Sequence, residues 1–170
     1  MCTEIFKTRR SIKKYKPEQI TDADLDAILE AGTYAPTGRN KQSPIIVAVQ
    51  NKETLQKLSR ANAAVLGMTS DPFYGAPTVA IVFADSEHHT GMEDACLVAG
   101  NILNAAHALG IGGCWIHRAR EVFDTPFGRE LMREWGVPER YVGVANCILG
   151  YADEAPTVRP RKENYIIKVK

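Results

Sequence analysis

The sequence contains no C-x-x-C pair, and its four cysteines, Cys2, Cys96, Cys114 and Cys147, lie far apart. That spacing excludes a dense disulfide framework and the common zinc sites, so all four read as reduced thiols and no metal is expected. Long apolar runs are missing too. No stretch approaches the ~20 apolar residues of a membrane span, and the basic N-terminus has no apolar run of signal-peptide length. The expectation is a cytoplasmic chain with no membrane partner. Nor is there an excess of either charge: 21 Lys and Arg against 20 Asp and Glu leave a net +1. With no aromatic-interleaved basic surface motif beside that balance, nucleic acid is not an expected partner. No internal repeat is visible.

What is present has the composition of a folded protein, 45% hydrophobic and 24% charged, in a length that suits one domain over 1–170. Thr21, followed by Asp22 and Asp24, starts a helix; Leu25, Ile28 and Leu29 give it an apolar face, and Gly32 is suited to stop it. The Pro-, Gly- and Asn-rich stretch 34–44 reads as a loop, 45–49 as a buried strand, and 52–64 as a helix with Leu55 and Leu58 inward. Residues 67–77 read as a loop or lid and 78–84 as a strand. The stretch 92–109 is apolar almost all round and ends at Gly110, which marks it as the core helix. Strands at 113–116 and 141–149 enclose a helix at 127–135 that Gly136 and Pro138 end, and 165–169 is strand-like. This alternation indicates α/β or α+β layering, helices covering a central sheet.

Four segments carry residues suited to chemistry. The run Arg9, Arg10, Ser11, Ile12, Lys13, Lys14, Tyr15, Lys16 packs five basic side chains and a serine hydroxyl into eight positions. Arg clamps phosphate bidentately and Lys neutralises delocalised negative charge, although composition alone also describes a solvated surface run. The loop Ala35, Pro36, Thr37, Gly38, Arg39, Asn40, Lys41, Gln42, Ser43, Pro44 crowds backbone donors, a hydroxyl and two amides just ahead of a strand. It is equally a helix-to-strand connection. Gly110, Gly112 and Gly113 end a helix and precede a strand, the reverse of a dinucleotide fingerprint, so no Rossmann site is inferred. Ile116, His117 and Arg118 follow, with His117 a candidate proton donor beside a structural alternative. The last segment is a basic tail containing Arg159 and Arg161.

Taken in this order, the segments resemble the FMN-dependent nitroreductase family along nearly the whole chain. Arg9, Ser11 and Lys13 are similar to its R-x-S-x-K start; Pro36, Thr37, Gly38, Asn40 and Gln42 are similar to its P-S-x-x-N-x-Q loop. Residues 100–110 resemble its central helix, running into a C-W-I strand. The resemblance implies an α+β fold, a sheet flanked by helices and dimerised through long helices, with FMN in a cleft made by both protomers. Arg9 and Arg161 would hold the phosphate, with Arg159 a further partner and Arg10 beside them. Ser11 would meet a phosphate or ribityl oxygen, and Lys13 the N1 and C2 carbonyl edge. Pro36, Thr37, Gly38, Asn40 and Gln42 belong to the flavin-binding set, the first four contributed by the other protomer. Backbone around Ile116, His117 and Arg118 would approach N5. The implied activity is ping-pong hydride transfer from NAD(P)H through FMN to a nitroaromatic, quinone or similar acceptor. The chemistry belongs to the cofactor, so no catalytic side chain is required. An FMN-binding store or sensor without turnover is the alternative. Three departures stand out: Thr37 replaces Ser, Ser43-Pro44 replaces Pro-Trp, and His117-Arg118 stands where many members have Gly.

Overall fold

The computed structural model describes residues 3–170, so Cys2 lies outside the described residues. The elements run α1 (Glu4–Thr8), α2 (Asp22–Thr33), β1 (Ile45–Val49), α3 (Lys52–Ala64), β2 (Thr78–Asp85), α4 (Gly91–Ala108), β3 (Gly112–Ile116), α5 (Ala119–Phe123), α6 (Pro126–Glu134) and β4 (Tyr141–Gly150). The strands form one sheet in the order β1-β2-β4-β3, antiparallel at every step. This is an α+β fold.

β2 explains the layering. Its side chains alternate between the two faces, and both are buried: Ala80, Val82 and Ala84 join one apolar cluster, Val79, Ile81 and Phe83 the other. A strand apolar on both sides requires cover on both sides. On the first face that cover is α2 and α4, supplying Leu25, Ile28, Val98 and Ile102. On the second it is α3, α5 and α6, supplying Leu58, Phe123 and Met132. The ladder between β2 and β4 is irregular at Val82/Phe83, where Val82 faces Ala145 and Phe83 faces Gly143. Val144 is the extra residue of a bulge.

Two of the expected helix boundaries hold: the Thr21 hydroxyl accepts from Asp24 N and opens α2, and Gly110 leaves α4 at φ 75. Asn51, through Thr54 N, caps α3 in the same way as Thr21. Three expectations change. Gly32 does not stop α2 but lies buried inside it, where a Cβ would meet Ile102 Cγ1 at 2.9 Å. Residues 165–169 form no strand: Ile166, Ile167 and Val169 stand exposed on an extended tail, since strand propensity produces a strand only where an edge is offered for pairing. α4 is not covered all round, because Met92, Cys96 and Leu97 face outward while Ala95, Val98, Ala99, Ile102 and Ala106 face the core. Cys114 and Cys147 are buried and, like Cys96, unpaired in disulfides; burial, helped by Cys114 nearby, pushes the Cys147 thiol up to about 12. Among the described residues no helix is long and apolar enough to cross a membrane.

Gly143 makes the bulge possible, because a Cβ there would lie 2.7 Å from Ala119 O at the start of α5. Gly143→Ala should therefore destabilise the protein by about 1–3 kcal/mol through overpacking. Urea unfolding should show a lower midpoint with an unchanged slope.

Candidate functional site

The basic run 9–16 is not a free surface strand. After α1 it is pinned to the β3 edge, with Ser11 bridged in parallel to Gly113 and Ile12 N donating to Gly113 O at 3.1 Å. Further on, Tyr15 bridges Ala152 and Lys16 N donates to Tyr151 O at 2.9 Å. Ile12 is buried, while Ser11 and Lys13 on either side of it are exposed. The Arg10 guanidinium donates from Nη1 to Lys7 O at 2.7 Å and Arg9 O at 2.6 Å. A cation in that place answers the free carbonyls at the end of α1. Arg10 Nε is buried without an acceptor. Arg9 and Arg10 border a cavity of about 320 Å³ with Gly112, Gly113 and Glu154, and Thr8 Oγ1 lies 2.8 Å from His107 Nε2 at its rim. Lys13 N donates to the Glu154 carboxylate, and its ammonium sits 5.5 Å from the centre of the Tyr74 ring. Tyr15 donates its hydroxyl to Ile12 O at 2.7 Å; burial, reinforced by Cys114 and Glu154, pushes its pKa far above the ordinary phenol value, so it serves as a neutral donor.

The loop after α2 is fixed from α4. Asp94, 3% exposed, accepts from Gly38 N at 2.9 Å and from the Thr90 hydroxyl at 3.1 Å, and His88 Nε2 stands 3.5 Å away. Position 38 admits only glycine in this arrangement, because a Cβ would fall 2.1 Å from Thr90 Oγ1. Thr37 Oγ1 accepts from Gln42 N at 3.0 Å and keeps its own proton free to donate. The Gln42 side chain donates to Asn40 Oδ1 at 3.1 Å. Arg39, Asn40 and Gln42 all have φ between 51 and 54, a left-handed conformation that persists only where surrounding contacts enforce it.

At the end of β3, His117 is exposed and its carbonyl is held from below. Asn62 Nδ2 donates to His117 O at 2.8 Å, and Asn146 Nδ2 reaches Ile116 O and His117 O at 3.4 Å each. Arg118 is left-handed at φ 72, and its Nε donates to Asn62 Oδ1 at 3.1 Å. Glycine adopts that conformation without strain; here the guanidinium contact offsets it. Asn62, Asn146 and Asp94 were not picked out from the sequence. The available signal was a polar residue within an apolar pattern: Asn62 follows Leu55 and Leu58 at seven and four positions, and Asn146 interrupts the run of β4.

The 36–42 loop and the Arg9 segment do not meet within one chain. Asp94 and His107 mark the two ends of α4, thirteen residues apart, which at 1.5 Å per residue separates the 36–42 loop from the Arg9 cavity by roughly 20 Å. Arg159 and Arg161 stand exposed on the tail, outside that cavity's lining. A larger cavity of about 740 Å³, bordered by Gln19, Gln50, Arg60 and Phe73, contains none of the candidate site residues.

The fold matches those of solved nitroreductase structures. A nitroreductase of Bacteroides fragilis, crystallised with bound FMN, superposes with a TM-score of 0.90 at 32% identity, over 99% of this chain and 98% of its own. The Nitroreductase family profile matches residues 6–151, and the chain belongs to that family. A candidate NADH dehydrogenase/NAD(P)H nitroreductase of Archaeoglobus fulgidus is 31% identical over 88% of this chain and 84% of its own. The NADPH-flavin oxidoreductase of Vibrio harveyi is 29% identical over 96% and 71%.

Asp94→Ala would leave Gly38 N and the Thr90 hydroxyl without their acceptor, at a cost of about 1–3 kcal/mol. Amide hydrogen exchange at Gly38 and Gln42 should accelerate, and Asp94→Asn, which retains an acceptor oxygen, should restore most of the protection.

Proposed function

We propose that the protein is an FMN-dependent NAD(P)H oxidoreductase of the nitroreductase type, a single-domain cytoplasmic enzyme acting as a homodimer. The observation that carries the reading is the division of the site: donors suited to one cofactor sit at opposite ends of α4, roughly 20 Å apart in one chain. A second copy can bring the two halves together. The outward face of α4, with Met92 and Leu97, and the exposed Ile166 and Ile167 of the tail supply apolar surface for that contact.

The residues present fit FMN. Two guanidiniums, one with a buried Nε lacking an acceptor, border the cavity, and Ser11 and Lys13 follow them as exposed residues of the same segment along the β3 edge. That set suits a phosphate monoester at one end and an electron-rich ring edge at the other. Bound FMN supplies two-electron transfer from NAD(P)H to a nitroaromatic, quinone or similar acceptor, one substrate after the other in ping-pong order. Arg9, with Arg10 beside it and Arg159 and Arg161 from the tail, holds the phosphate, and Ser11 donates to a phosphate or ribityl oxygen. Lys13 places its charge against N1 and the C2 carbonyl. Pro36, Thr37, Gly38 and Asn40 close the cleft from the second copy, with Gln42 bracing Asn40 in the same loop and the Thr37 hydroxyl free to donate. Asn62 and Asn146 steady the backbone of Ile116, His117 and Arg118, which would approach N5 of bound FMN, and the exposed His117 ring would be the proton donor to the acceptor.

Fluorescence titration should give one FMN per protomer, and anaerobic NAD(P)H oxidation with a quinone should give parallel double-reciprocal lines. Sedimentation should report a dimer. No uptake at micromolar FMN overturns the reading, and uptake without turnover makes the protein a flavin store. Arg161→Ala should weaken FMN binding by roughly 1.5–3 kcal/mol, the loss of one charge-assisted contact.

A further inference from the structure

The turn between α3 and β2 is built with more care than a connection requires. Asp71 accepts from Phe73 N at 2.8 Å, from Gly75 N at 2.7 Å and from the Ser59 hydroxyl, so one carboxylate fixes the whole bend. Phe73 anchors it in the core at 3% exposure. Between these fixed points Tyr74 has φ 54, and Gly75 follows at φ 70. A bulky aromatic at positive φ is an outlier that surrounding structure must hold in place. The ring it presents is 40% exposed, so the core does not need it. What the ring does meet is Lys13, whose ammonium lies 5.5 Å from its centre, within the range of a cation–π contact. The Lys13 backbone is held independently by its N–H donating to the Glu154 carboxylate. Backbone and ammonium of this one lysine are thus restrained from two separate loops.

We propose that Tyr74 is a positioning residue for Lys13, its ring holding the ammonium where it acts on the cofactor. This rests on the FMN reading above. A lysine side chain has four rotatable bonds and, unrestrained, spreads its charge through solvent. Confined by the ring, the charge stays near one place and favours the more negative, reduced state of a bound flavin over the oxidised one. Asp71 and the strained backbone of Tyr74 present the ring.

The test uses Tyr74→Phe, Tyr74→Leu, Lys13→Met and the double variant Lys13→Met/Tyr74→Leu, each saturated with FMN, with the reduction potential read by dye equilibration. Tyr74→Phe keeps a ring face and should match the wild type. Tyr74→Leu should lower the preference for reduced over oxidised flavin about threefold, which for a two-electron couple is about 14 mV. In the Lys13→Met background the same change should have no effect. A second readout needs no cofactor: in the flavin-free protein, the Lys13 ε-methylene resonance should show an upfield ring-current shift that Tyr74→Leu abolishes and Tyr74→Phe retains. An unchanged potential in Tyr74→Leu overturns the proposal, as does an equal shift in the Lys13→Met background, which would mean that the ring acts on the flavin directly. A rise in potential overturns it too, since Tyr74 would then hold the ammonium away. If the wild type takes up no FMN, the functional reading fails and this proposal with it, whereas flavin binding without the Tyr74 effect removes this proposal alone.

Discussion

The packing of α4 against the sheet sets the scale of everything else. Ala95, Ala99 and Ala106 have no side chain beyond a methyl group, which lets the helix lie close to the sheet, and Val98, Ile102 and Leu103 share one buried apolar cluster with Val82, Val144 and Leu149. Burial of those side chains, each contributing roughly 1.5–3 kcal/mol, fixes the helix on the sheet far more firmly than its intrinsic propensity could. Being rigid, α4 then fixes what its ends carry. Asp94 in its first turns holds the 36–42 loop, and His107 in its last turn meets Thr8 beside the Arg9 cavity. The distance between two sets of polar groups thus follows from a purely apolar contact.

Strain is distributed with the same economy. Among the described residues six other than glycine have positive φ, and five of them, Arg39, Asn40, Gln42, Tyr74 and Arg118, lie in the segments that bear on the candidate site. Each is held by a named bond or by its immediate neighbours: Thr37 accepts from Gln42, Asp71 brackets Tyr74, and Asn62 receives Arg118. Strained backbone is retained where neighbouring contacts over-determine it. The sheet contributes rigidity and the loops contribute geometry.

Much of this was legible in the sequence, for reasons that differ by element. β2 could be read because it is buried on both faces and therefore apolar without interruption; α2 could be read because Thr21 opens an amphipathic pattern, and α3 because Leu55 and Leu58 share its inward face. α1 and α5, at five residues each, are too short for periodicity to register. The misreading of 165–169 has the opposite cause, since its β-branched residues carry a real propensity that no edge in the chain satisfies. At the site, the order of Arg9, Ser11 and Lys13 was plain, but Arg10's contacts with the end of α1 were not, because they depend on where a helix stops. Asn62, Asn146 and Asp94 were silent for a related reason: a single buried amide or carboxylate acquires meaning only from partners 29 to 56 residues away.

The separation of the two polar groups along α4 also has a genetic reading. In the homodimer proposed above, each cleft draws its cationic half from one chain and its loop half from the other. A chain defective only at Arg9 and a chain defective only at Gly38 would each give an inactive dimer. Co-expressed, they would form mixed dimers in which one cleft collects both defects and the other collects none. Two null alleles of this gene could therefore complement each other, and up to a quarter of the clefts in a random mixture would be intact.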